Sequence, residues 1–133
     1  MPSFTRLIEG PEQSRRSKIF IGFTGIILGG LAALLGTVTH SGGIDGGTTG
    51  VTVALLTVLL GAMAFMLLAG MGGWASFGLG VLVTMALSST YSQGDAIGGL
   101  NESLSQWWAY GSPAAILLGG LCAWLGYALV GRD

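Results

Sequence analysis

From Gly46 to Gly94 the chain contains no Asp, Glu, Lys, Arg or His. Charged residues make up only 8% of the whole, against about a quarter in soluble globular domains, and mean hydropathy is +0.74. That scarcity excludes an ordinary water-soluble domain. The single cysteine, Cys122, lies in an apolar run, so an internal disulfide is impossible and packing is its simplest role. There is one histidine, His40. No Ser/His/Asp set, paired carboxylate or metal-spaced Cys/His cluster occurs, so an enzyme is not expected. Glycine pairs such as Gly42-Gly43 and Gly46-Gly47 lack the lysine and the strand and helix context of a phosphate loop. Basic residues are not interleaved with aromatics, which argues against nucleic acid as a partner.

What is present is apolar length. A helix rises about 1.5 Å per residue and a bilayer core is about 30 Å thick, so about 20 residues cross it. The uncharged interval is long enough to cross twice, and Gly70-Met71-Gly72-Gly73, followed by Trp74, is the natural turn. The expected organisation is one all-α membrane domain, a bundle of four transmembrane helices over about 19–39, 51–69, 75–89 and 113–130. A cytoplasmic tail, 1–18, precedes it, and extracytoplasmic loops at about 40–50 and 90–112 connect the spans.

Each span carries a row of small residues. Gly22, Gly25, Gly29, Ala33 and Gly36 share a face of the first, and Ala54, Thr57, Gly61 and Ala64 a face of the second. Ser76, Gly80, Thr84 and Ser88 stand at i+4 spacing on the third, and Ala115, Gly119, Ala123 and Gly126 line the fourth. Lipid supplies little hydrophobic force between helices, so close packing through small residues is what holds them together. The hydroxyls of the third row are expected to return to their own i−4 carbonyls. Met63, Met66, Met71 and Met85 read as packing residues.

Between the last two spans, Ile97, Leu100, Leu104, Trp107 and Trp108 recur at helical spacing among polar residues. This predicts a short amphipathic helix lying along the interface, with Ser112-Pro113 opening the last span. Trp74, Trp107, Trp108 and Tyr110 are expected in the aromatic belt at headgroup depth. Asn101-Glu102-Ser103 is a glycosylation sequon of low specificity.

All five Lys and Arg residues lie before the first span or after the last, at Arg6, Arg15, Arg16, Lys18 and Arg132. The positive-inside rule then places both termini in the cytoplasm. Arg15-Arg16 resembles the pair of a twin-arginine export signal, but Lys18 stands where that pattern has a large apolar residue. The cluster reads instead as orientation charge on an uncleaved N-terminus.

Four spans in a chain of this length also describe small multidrug-type exporters, which depend on a membrane-embedded carboxylate. No span here has one, and the same lack opposes a rotary-ATPase proteolipid. The expectation is a small non-catalytic structural or accessory subunit of a larger membrane complex. Its partners would be other membrane subunits, lipid or copies of itself, and no cofactor or metal is implied. The alternative is a homo-oligomeric channel or uniporter for a small or neutral solute, with Ser76, Thr84 and Ser88 lining the path. A haem or pigment carried on His40 is a distant third.

Overall fold

A computed structural model of the protein describes residues 8–39, 47–91 and 102–130. The described residues form three helices, not the expected four: α1 (Arg15–Thr39), α2 (Thr48–Tyr91) and α3 (Glu102–Val130). All three are long and apolar enough to cross a membrane, as a transmembrane protein requires.

Ser14 starts α1. Its hydroxyl accepts the Ser17 N–H at 3.2 Å, meeting an orphan donor of the first turn, and its carbonyl accepts the Lys18 N–H at 3.1 Å as the first bond of the helix. In the same way the carbonyl of Gly47 accepts the Val51 N–H at the start of α2.

The difference in helix count arises in α2. A straight helix of its 44 residues would be about 66 Å long, roughly twice a bilayer core. It is not straight. Gly70, at φ 66° and ψ −154°, leaves helical geometry and folds the element back on itself within a single residue. That backbone region is open essentially to glycine alone. A loop over Gly70–Gly73 was expected, yet Met71, Gly72 and Gly73 remain helical. Gly73 serves close approach instead. A Cβ there would lie 2.5 Å from the carbonyl oxygen of Phe65, so its bare Cα lets the second arm of α2 start hard against the first. Across the reversal the rings of Phe65 and Phe77 stack, with centroids 5.4 Å apart.

The second difference is in α3. The expected interfacial helix and last span form one 29-residue element, about 43 Å long, and Pro113 is inside it rather than at its start. Ser112 is wholly buried and its hydroxyl donates to the Trp108 carbonyl at 2.7 Å, binding the turn before the proline to the turn above it. The helix continues past Pro113, whose ring has no N–H to give.

α2 is the centre of the molecule and packs against both α1 and α3, which also meet each other where Trp108 lies on Gly36 and Thr37. The core runs through Ala33, Val58, Ala62, Phe65, Phe77, Val81, Trp108 and Ile116.

Candidate functional site

The small residues of α1 and of the second arm of α2 meet along most of their shared length. A Cβ at Gly29 would strike the Phe77 carbonyl oxygen, and one at Gly80 would strike that of Ile26, so the two glycines bring backbone onto backbone. On either side, Gly22 and Gly25 face Ser76, and Gly30 faces the Thr84 hydroxyl. Ser76 returns its own hydroxyl to the Gly72 carbonyl at 2.7 Å, the i−4 bond expected from sequence. Ala33 is fully buried and Ser88 half-buried. Gly30 was not among the predicted packing residues, although its place beside Gly29 was the available signal.

At the other end of α1, Gly36 lies under the ring of Trp108, whose indole N–H donates to the Thr37 hydroxyl at 3.3 Å. Thr37 in turn donates to the Ala33 carbonyl at 2.8 Å. Trp108 is only 4% exposed, so it is a core residue and not part of an aromatic belt. Trp74 also turns inward, donating its indole N–H to the Ile116 carbonyl at 2.9 Å beside Gly120. Both rings found backbone or hydroxyl acceptors between helices, which satisfies the N–H without headgroups. Trp107 and Tyr110 are the exposed pair, at 67% and 79%.

The remaining small faces are filled unevenly. Gly61 takes the Phe77 ring, Gly119 lies against the Leu59 carbonyl and Ala62, and Ala115 and Ala123 are buried. Gly126 meets nothing within 4 Å. On the first arm of α2 the buried row is Val51, Ala54, Val58, Ala62 and Phe65, while the expected Thr57 and Ala64 are exposed. An element apolar all round offers no polar stripe from which to choose its inner face.

α3 does not close fully against α2. A groove of about 680 Å³ runs between α3 and the first arm, lined by Leu55, Leu56, Leu59, Trp107, Gly111 and Leu118, with Thr48, Thr52 and Ser103 also on its wall. A second groove of about 370 Å³, lined by Trp74, Leu79, Leu82, Pro113 and Leu117, lies between α3 and the second arm.

The N-terminal segment closes the molecule at the reversal. Gln13 donates its side-chain amide to the Leu68 carbonyl at 3.1 Å. Gly10, at φ 72°, comes so close that a Cβ would sit 2.7 Å from the Ala69 carbonyl carbon. Among the described residues no group of three His, Cys, Asp or Glu side chains comes together, and Cys122 is exposed. His40, Asp45 and Asn101 lie outside the described residues.

Comparison with known protein families, curated proteins and solved structures finds no match to this chain.

Proposed function

We propose that this protein is a non-catalytic packing subunit of a larger membrane assembly. The observation that carries the reading is how the interior uses its polar groups. Thr37 and Ser112 are the buried polar residues among those described, and each gives its hydroxyl to a carbonyl one turn back in its own helix. Hydroxyls committed in this way favour the outer surface as the place where the chain acts. That surface carries two apolar grooves beside α3, which suit the side chains of a neighbouring transmembrane helix.

The alternative, a homo-oligomeric channel or uniporter, is less well supported. Its path would be lined by Ser76, Thr84 and Ser88, but Ser76 and Thr84 face the glycines of α1.

For orientation, the N-terminal segment, the reversal at Gly70 and the far half of α3 lie at one end of the molecule, through the Gln13–Leu68 and Trp74–Ile116 bonds. The excess of Lys and Arg near the termini assigns that end to the cytoplasm. A reporter fused near Asp45 or Glu102 is then extracytoplasmic, and a cytoplasmic signal at either position overturns the assignment.

Gentle detergent extraction of the tagged protein, followed by native sizing and identification of co-purifying chains, tests the function. Stoichiometric unlike partners are the expected result. A pure homo-oligomer that conducts solute in liposomes would sink the reading.

A further inference from the structure

The basic residues at the start of α1 sit where helix electrostatics does not favour them. Arg15, Arg16 and Lys18 occupy its first turn or so, which contains no acid, and the macrodipole there is positive. Cations at that end cost a helix stability, typically a few tenths of a kcal/mol each. All three side chains are exposed, and among the described residues no ion pair engages them. Glu9 and Glu12, also exposed, are the acids closest in sequence, and they leave the cations in excess.

Nor is the cluster on a loose tail. Gln13 bonds the Leu68 carbonyl and Gly10 lies against Ala69, so the segment leading into α1 is strapped to the reversal of α2. The residues that follow are bulky, apolar and exposed: Ile19 at 65%, Phe20 at 70% and Phe23 at 64%. Three exposed cations directly before an outward apolar band have the polarity profile of a lipid, charged head over hydrocarbon.

We propose that Arg15, Arg16 and Lys18 form a docking site for the headgroup of an anionic phospholipid, whose chains lie along Ile19, Phe20 and Phe23. The inference rests on the reading that the helices span a bilayer. It goes beyond orientation, because setting the direction of insertion needs charge but no bound lipid. Headgroup phosphate accepts hydrogen bonds from the guanidinium groups, and each cation near an anionic surface contributes about fivefold to binding.

The test uses the full chain reconstituted in phosphatidylcholine vesicles containing a minor share of phosphatidylglycerol, re-extracted gently, with the retained lipid analysed by headgroup. The wild type is expected to retain phosphatidylglycerol well above its bulk share, and high salt to reduce that enrichment. Each single substitution, Arg15→Gln, Arg16→Gln or Lys18→Gln, lowers it roughly two- to fivefold. The triple variant loses it while still co-floating with phosphatidylcholine vesicles. Because wild-type salt dependence needs no variant, and E9Q/E12Q is expected to raise the enrichment, the outcome does not hang on whether the triple variant folds. Inorganic phosphate at equal ionic strength should not compete; full competition would mean a free-anion site and overturn the proposal. Absence of enrichment in the wild type, or equal enrichment in the triple variant, overturns it while leaving the membrane reading intact. Failure of the wild type to enter vesicles of any composition overturns the membrane reading and this inference together.

Discussion

The contact of α1 with α2 and the contacts of α3 with its two neighbours solve the same problem by different means. α1 meets the second arm of α2 through glycine on both sides, so that at Gly29 and Gly80 one backbone touches the other. α3 meets its neighbours largely through rings, Trp108 reaching Thr37 on α1 and Trp74 of α2 reaching Ile116, with Gly119 against the Leu59 carbonyl, and grooves remain beside them. In lipid, packing is the main source of helix association. The glycine contact is thus tight and intolerant of change, whereas the aromatic contact is anchored at a few points and leaves room between them.

The largest effect should come from the glycine side. Gly29→Leu puts a side chain into the Phe77 carbonyl and is expected to cost about 3 kcal/mol or prevent a folded yield, read as the thermal midpoint of detergent-purified protein. A midpoint near wild type would show that the helices can separate there without loss. Next comes the reversal on which both contacts depend. Gly70→Ala forces a side chain into a backbone region reserved for glycine, at about 2 kcal/mol, and increased hydrogen exchange over 66–73 would report it.

On the aromatic side, Trp108→Phe keeps a ring over Gly36 but loses the N–H to Thr37, for about 1 kcal/mol. A loss as large as that of Gly29→Leu would mean the two contacts are not built differently after all. The smallest effect, and one of opposite sign, is at Gly126. It meets nothing, so Gly126→Ala should leave stability unchanged or raise it by up to about 1 kcal/mol of helix propensity, read as the same midpoint. A clear fall in detergent would show a contact within the chain. A fall only in the native membrane would place a partner against that face.

Much of the α1 contact was legible because its signal is local: Gly22, Gly25, Gly29, Ala33 and Gly36 repeat at helical spacing whatever lies opposite. The first arm of α2 was not legible in this way. Thr57 and Ala64 were as plausible on its inner face as Val58 and Ala62, since a helix surrounded by lipid and by other helices needs no polar side. Trp108 and Trp74 were misplaced for a related reason. A tryptophan near a span's end satisfies its N–H equally well in the interface or on a neighbouring helix, and only the position of Thr37 and Ile116 decides between them. The strap from Gly10 to Gln13 gave no sequence signal, because its acceptor, the Leu68 carbonyl, becomes available only where α2 reverses.

By itself, the sequence determined the solvent in which this chain folds, the residues small enough for helices to touch, and the end at which positive charge collects. These follow from composition and local spacing. Only the tertiary structure decided that the long uncharged interval is one element turned by Gly70 alone, and that the helix before Pro113 runs straight through it. It also decided that two tryptophans expected at headgroup depth turn their N–H groups to acceptors on neighbouring helices. Each of these outcomes depends on which backbone group comes within reach of another, and that distance is set by the packing of whole helices, which no single stretch of sequence contains.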